Sequence, residues 1–344
     1  MDLVTKLAQE GILTEPEFTE LLTTEDGGLR SYLFQVAQHL SDQHFHHKVY
    51  IRGLIELTNH CQKDCFYCGL RCSNKNVQRY RLDKETILRC CKTGYTAGFR
   101  TFVLQGGEDL YFNDQVMCDI VSSMKSQYPD CAITLSLGER SYRSYKALFE
   151  AGADRYLLRH ETADSLHYSR LHPPSYSLSK RQECLKNLKN IGYQVGTGFM
   201  VGSPYQLKEY YTEDLQFIRG LAPAMVGIGP FIPHKDTPFR NQPPGTIEDT
   251  LRLIAILRIM LPSANIPSTT ALGTLHPDGR VHGILAGANV LMPNLTPVAE
   301  QALYSLYNKK ASVDGELVAN MALLNSQLND YDYHLTVDRG DYKG

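Results

Sequence analysis

The chain has 344 residues, 42% hydrophobic and 21% charged, enough to bury a large core as one large or two ordinary globular domains. With 35 basic and 37 acidic residues and a net charge of −2, no basic run marks a general nucleic-acid or anionic-membrane surface. No apolar stretch approaches the roughly 20 residues of a membrane span, and Met1–Glu10 carries no signal-peptide core, so the expectation is a cytoplasmic protein without membrane partners.

Residues 1–47 read as an N-terminal helical extension, with helical patterning over 2–47. Eight strand candidates follow: Val49–Leu57, Thr101–Leu104, Ala132–Leu137, Arg155–Leu158, Gln194–Met200, Met225–Ile228, Asn265–Thr269 and Val290–Met292. The segments between them have helical spacing. Ile247, Leu251, Ile254, Leu257 and Leu261 lay one apolar stripe along a helix, with Thr246 as N-cap and Pro262 as its stop. Alternating β and α elements imply a parallel sheet, and eight units suggest a full (β/α)8 barrel over residues 48–307. Periodicity alone leaves an open doubly wound sheet possible. Polar and glycine-rich residues follow nearly every strand, among them Asn59-His60-Cys61, Gln105 to Glu108, Ser136 and Arg159-His-Glu161. In a barrel those ends converge on one mouth. Residues 308–344 are expected to be an extension that caps the barrel.

The loop after the first strand, Cys61-Gln-Lys-Asp-Cys65-Phe-Tyr-Cys68, carries the most specific chemistry. Three thiolates at this spacing can hold three corners of a cuboidal 4Fe–4S cluster and leave the fourth iron open to a cofactor or substrate. The competing reading is a zinc site closed by His60 or Cys72. Nine cysteines in a large chain point to a reducing compartment, and Cys90, Cys91, Cys118, Cys131 and Cys184 read as packing residues. Cys72 reads as a bystander, because a fourth thiolate would close the open iron.

The Cys-x3-Cys-x2-Cys loop with Tyr67 before its last cysteine resembles the motif of radical S-adenosylmethionine (SAM) enzymes. Ile51–Leu70, Val103–Asp109, Thr134–Gly138, Arg155–Thr162, Met225–Pro233 and Asn289–Asn294 extend the likeness over residues 48 to 307. Together they resemble one subfamily of the biotin-synthase-like branch, the HydE maturases of FeFe-hydrogenases. The resemblance implies a full barrel, one 4Fe–4S cluster on Cys61, Cys65 and Cys68, and S-adenosylmethionine as cofactor. It also implies an anaerobic, radical chemistry in which the 5′-deoxyadenosyl radical arises at the cofactor, with no catalytic side chain of the protein's own. Cofactor-binding positions carried over are Tyr67, Gly106, Gly107, Glu108, Ser136, Glu161, Arg181 and Met200. Arg181 suits the methionine carboxylate as a bidentate fork, and Glu161 suits the ribose hydroxyls. Taken alone, Gly106-Gly107 is a common turn and an Arg in a helix usually faces solvent.

Deeper in the barrel the resemblance implies a cavity for anions and small organometallic ligands, lined by Thr134, Arg155, Arg159, Met225, Thr269, Thr270, Met292, Tyr304 and Tyr307. Met225 and Met292 serve equally as plain core. Some family members add three cysteines near the C-terminus for an accessory 2Fe–2S cluster. Asn308–Met321 has none, so that cluster is expected to be absent. The substrate implied is a cysteine-bound Fe(CO)2CN complex supplied by the companion maturase HydG, with the product passed to HydF during assembly of the hydrogenase diiron site. The alternatives are a methylornithine-synthase-like mutase on the same scaffold, and a non-catalytic metal-binding scaffold, against which the cofactor-type residues argue.

Overall fold

In a computed structural model, which describes residues 2–310 and 317–344, the first predicted strand breaks at Arg52 into β1 (Lys48–Ile51) and β2 (Gly53–Thr58). There follow β3 (Thr101–Gly106), β4 (Ala132–Ser136), β5 (Arg155–Leu157), β6 (Gln194–Thr197), β7 (Met200–Val201), β8 (Met225–Val226), β9 (Gly229–Pro230), β10 (Val290–Leu291) and β11 (His334–Thr336). A parallel sheet runs in the order β2-β3-β4-β5-β6-β8. A second parallel sheet runs β10-β1-β11, and β7 pairs with β9. The fold is therefore α/β with parallel strands joined by helices.

The seventh predicted strand, Asn265–Thr269, forms no ladder. It makes isolated parallel bridges, Asn265 to Met225 and Pro267 to Val290. Pro267 has no N–H to give, and side-chain amides compensate. Asn289 Nδ2 donates to Asn265 Oδ1 at 3.0 Å, and the Ile266 N–H to Asn289 Oδ1 at 2.8 Å. Backbone bonds still run to both neighbours, from Val226 N–H to the Asn265 carbonyl and from Ser268 N–H to that of Val290. On the far side of β10, the N–H groups of Arg52 and Leu54 donate to Leu291 and Pro293.

Successive side chains of a strand face opposite ways. Ile55, Leu57, Phe102, Leu104, Ile133, Leu135 and Tyr156 pack outward in one buried cluster with helix residues such as Ile87, Met117, Leu148 and Leu185. The alternate positions turn the other way and set the polar side chains Glu56, Gln105, Thr134, Ser136 and Arg155 among Leu54, Val103 and Leu157.

The N-terminal stretch consists of three helices, Leu3–Glu10, Glu15–Thr23 and Gly27–Phe45. Asp2 and Asp26 cap the first and third by accepting first-turn N–H groups, and at the second Glu17 accepts the Thr14 N–H at 2.9 Å. Their apolar faces (Leu7, Phe18, Leu21, Leu33, Ala37) cover helix Ile247–Met260, so that helix is buried nearly all round instead of along a single stripe. Thr246 caps it as predicted, accepting the Asp249 N–H at 3.0 Å.

From His334 onward the C-terminal tail packs on the sheet. β11 extends β1, pairing Lys48 with His334, at the ends where the strands begin. Beyond it the Arg339 carbonyl accepts from Thr101 Oγ1 (2.8 Å), the Gly340 carbonyl from Asn265 Nδ2 (3.1 Å), and Tyr342 N–H donates to Gln194 Oε1 (3.2 Å). Part of Asn308–Met321, the stretch expected to lack an accessory cluster, lies outside the described residues. Among the described residues no helix is long and apolar enough to cross a membrane.

Candidate cofactor and substrate site

β2 delivers the cysteine loop to the ends where the strands finish. Its root is fixed by Asn59, fully buried, whose Nδ2 donates to the carbonyls of Gln78 (2.8 Å) and Leu303 (2.9 Å) while its Oδ1 accepts the Tyr80 N–H at 2.8 Å. Arg71 grips Asp64 with two parallel bonds of 2.8 and 2.6 Å, and Gln62 N–H donates to the Glu108 carbonyl at 2.9 Å. Within this frame the sulfurs receive backbone donors. Cys61 Sγ accepts from Lys63 and Glu108, and Cys68 Sγ from Leu70, each at 3.4 Å. Such N–H donors favour thiolate. Burial raises the thiols of Cys61 and Cys68 and pushes that of Cys65 up to about 12. The free thiols therefore hold their protons until a metal displaces them. Among the described residues, no three or more His, Cys, Asp or Glu side chains close around a single point as one zinc ion requires. A cuboidal cluster takes its thiolates on separate irons, and the donor set fits it. Cys72 is exposed.

The Gly106-Gly107 edge of β3 lies directly on this loop. A Cβ at Gly107 would sit 2.2 Å from the His60 carbonyl oxygen and 2.7 Å from Cys61 Cβ, so only glycine permits the approach. Ser136 ends the next strand, paired with Gln105. Glu108 turns to the loop after β4, where its Oε1 accepts the Glu139 N–H at 3.0 Å beside Gly138, which has φ +74. Arg181 reaches the same place from helix Leu178–Ile191, its Nε 3.3 Å from Glu139 Oε1. Lys63 adds a second cation, 3.2 Å from Glu139 and 3.6 Å from Glu108. Burial pulls the Arg181 pKa down, but Glu139, Tyr168, Tyr67 and Glu108 together outweigh it and the net shift is upward. Tyr67 packs edge-on against His172 and, with Met200, joins a small apolar cluster with Leu171, Phe231 and Phe239.

Arg159 and Glu161 meet each other. Arg159 Nη2 lies 3.0 Å from Glu161 Oε2, without the geometry of a hydrogen bond, so both atoms stay unbonded though buried. Glu161 has φ 69, a left-handed backbone that few non-glycine residues adopt. Thr269 begins helix Thr270–Leu275, and among the described residues neither its buried Oγ1 nor that of Thr134 has a hydrogen-bond partner. Thr270 is partly exposed. Tyr304 is buried, with Gln105 Nε2 donating to its hydroxyl at 3.3 Å. Burial raises Tyr307 to about 12, and the positive charges of Arg280 and Arg159 act on its hydroxyl. Met225 accepts from Arg52 Nη1 at 2.8 Å, whereas Met292 packs on the Phe45, Tyr50 and Val290 cluster. Arg155 points to the opposite end. Its guanidinium donates to Asp341 (2.7 Å), the Arg339 carbonyl (2.8 Å), Gln194 and Thr101.

Several residues here were missed by the sequence reading. Arg52 is buried, and among the described residues its Nε and Nη2 have no hydrogen-bond partner. Glu56, fully buried, takes Lys310 from the segment crossing the mouth and Asn294 Nδ2 at 2.9 Å. Both charges interrupt the apolar run Val49–Leu57, a signal that was readable. Glu139 and Lys63 had no such signal.

Residues 55–218 match the model of the Radical SAM superfamily. The FeFe hydrogenase maturase subunit HydE of Thermotoga maritima is 45% identical over 88% of this chain and 87% of its own length. The 3-methylornithine synthase of Methanosarcina acetivorans is 28% identical over 81% of this chain and 79% of its own. Among solved structures, methylornithine synthase superposes with a TM-score of 0.85 at 26% identity, covering 97% of both chains. A structure of HydG, a maturase of the FeFe-hydrogenase, has a TM-score of 0.81 at 20% identity over 97% of this chain and 75% of that one, a likeness of fold alone.

Proposed function

Because the chain belongs to the radical SAM superfamily and, within it, to the family of the FeFe hydrogenase maturase HydE, we propose that it is a radical SAM enzyme acting in assembly of the hydrogenase diiron site. The observation that carries this reading is the fusion of the cysteine loop with the glycine edge. Glu108 N–H bonds Cys61 Sγ, and Gly107 leaves no room for a side chain between them. When bound, a reduced 4Fe–4S cluster and S-adenosylmethionine supply reductive cleavage to methionine and a 5′-deoxyadenosyl radical. Cys61, Cys65 and Cys68 would hold the cluster. Gly106, Gly107, Ser136, Glu161 and Arg181 would hold the cofactor, with Tyr67, Glu108 and Met200 around it. Arg181 offers its fork to a carboxylate, and Glu139 and Glu108 keep the site's charge balanced while it is free.

The backbone bonds from β8 through Asn265–Ser268 to β10 and on to β1 and β2 support a sheet closed into a (β/α)8 barrel. Its polar inside then becomes a dry cavity. Arg159, Thr134 and Thr269, whose buried polar atoms lack hydrogen-bond partners among the described residues, would supply there the donors an anionic or cyanide-bearing ligand needs. This favours an organometallic substrate such as the cysteine-bound Fe(CO)2CN complex, with HydG and HydF as companions and a single cluster per chain. Arg155, tied to the tail, would shape that cavity's floor.

The test is anaerobic reconstitution, iron analysis, then S-adenosylmethionine with a reductant and chromatography for 5′-deoxyadenosine. Adding the protein to hydrogenase maturation mixtures, and separately to lysine, separates the maturase from the mutase. Methylornithine formation without hydrogenase activation would overturn the maturase reading. Eight irons per chain would overturn the single cluster.

A further inference from the structure

Between Arg159 and Glu161, His160 faces the opposite way, into the layer beneath helix Lys208–Leu221. Its ring is fully buried, 4.8 Å from the Phe217 ring. Nδ1 lies 2.8 Å from Thr197 Oγ1, and that hydroxyl donates to the Leu158 carbonyl at 3.1 Å, so Nδ1 is the donor of the first bond. Nε2 lies 3.1 Å from Asp214 Oδ1, which also accepts the Ala163 N–H at 2.6 Å. Asp214 is fully buried, and among the described residues its Oδ2 has no hydrogen-bond partner. Burial lowers His160 to about 3 and raises Asp214, which makes the pair neutral, with one proton shared between Oδ1 and Nε2.

One carboxyl thus grips the chain on both sides of Glu161, through the side chain of 160 and the backbone of 163. Glu161 itself is held at φ 69, with its N–H on the Gly198 carbonyl at 3.1 Å. A left-handed non-glycine residue persists only where its surroundings over-determine it. An orphaned buried oxygen costs stability that an apolar side chain would not. We propose that Asp214 and His160 are positioning residues, a clasp that fixes Glu161 in its left-handed conformation and presents its carboxylate to the ribose of S-adenosylmethionine. The inference rests on the reading of Glu161 as a cofactor residue.

The experiment is a double-mutant cycle read by equilibrium dialysis of S-adenosylmethionine against cluster-loaded protein, with iron content measured for every variant. Glu161→Ala should weaken binding about tenfold or more. Asp214→Ala should weaken it by a similar factor, and the double variant no further, because Asp214 acts only through Glu161. Asp214→Asn should bind within about twofold of wild type, since its amide oxygen still accepts from Ala163 and, once the ring proton moves to Nε2 and the Thr197 hydroxyl turns to donate to Nδ1, from the imidazole as well. If Glu161→Ala binds normally, the cofactor reading of Glu161 fails. If Glu161→Ala is weak but Asp214→Ala is normal, or the two losses multiply in the double variant, the clasp fails. Should Asp214→Ala lose its iron, the cycle is run with His160→Leu, which fills the ring's volume without its bonds, and the same outcomes decide.

Discussion

A methyl group at position 107 should break the cluster site. The Cβ of Gly107→Ala would lie 2.2 Å from the His60 carbonyl oxygen and 2.7 Å from Cys61 Cβ, where ordinary contacts are roughly 3.5 Å. The edge and the loop must therefore part by about 1 Å. Neither neighbour is the tip of a flexible side chain, and Asn59 anchors the loop's root with three hydrogen bonds. The movement falls on Cys61 and on the 3.4 Å bond from Glu108 N–H to its sulfur. Overpacking of this kind costs about 1–3 kcal/mol, and a shift of about 1 Å exceeds the roughly 0.5 Å a preorganised site tolerates. Gly106→Ala is the internal control. Its Cβ meets the Thr58 methyl at 3.0 Å and the Thr58 carbonyl oxygen at 3.4 Å, so a small adjustment suffices. After anaerobic reconstitution, Gly107→Ala should lose most of its iron and sulfide, with Gly106→Ala near wild type. Wild-type iron in Gly107→Ala, or equal loss in both, would refute the steric argument.

Replacing Cys61, Cys65 or Cys68 by Ala should abolish cluster binding and 5′-deoxyadenosine formation, whereas Cys72→Ala should leave both; a dead Cys72→Ala protein would contradict the ligand assignment. Arg181→Ala should weaken S-adenosylmethionine binding by about 1.5–3 kcal/mol, the scale of a charged hydrogen bond, while Thr269→Val and Thr270→Val should spare it and reduce hydrogenase maturation; equal loss of affinity in all three would merge the two sites. Arg159→Ala is expected to alter both readouts, since Arg159 touches Glu161 at 3.0 Å; an effect on maturation alone would refute that coupling. Burial works to raise the Asp341 carboxyl, but hydrogen bonds from Arg339 and Arg155 hold it down at about 2, from an ordinary 3.8. A depressed folded pKa contributes stability above the ordinary value and loses it as pH falls, so the thermal midpoint difference between wild type and Asp341→Asn should shrink from pH 4 toward pH 2; a difference that stays constant would place the tail's hold elsewhere.

The cysteine loop was legible because its ligands are contiguous, and the α/β alternation because each strand and helix carries its own period. What failed to show was whatever depends on a distant partner. Helix Ile247–Met260 read as a one-sided stripe, yet the N-terminal helices cover its outer face too. Asn265–Thr269 read as a strand from its neighbours, and Pro267 stops it from laddering. β11, three residues with no alternation to speak of, exists only because β1 offers a free edge. Arg155 sits at the start of β5 rather than its end, and position along a strand decides which end of the sheet a side chain serves. The family pattern placed Arg155 with the ligands of the cavity. The local geometry gives its charge to Asp341, from the last residues of the chain.

Arg159 and Glu161 show where reading by role and reading by space diverge. The family resemblance implies substrate for one and cofactor for the other. Two residues apart, they lie 3.0 Å from each other across a backbone that turns left-handed at Glu161. His160, between them, packs in the opposite layer, where Asp214 receives it. If Glu161 holds the ribose and Arg159 the substrate, whatever draws the Glu161 carboxylate toward a ribose takes it from Arg159, 3.0 Å away, and the guanidinium so released would be a stronger anion donor. On that reading cofactor and substrate binding would be coupled through a single carboxylate, and linkage would require the coupling to act equally in both directions.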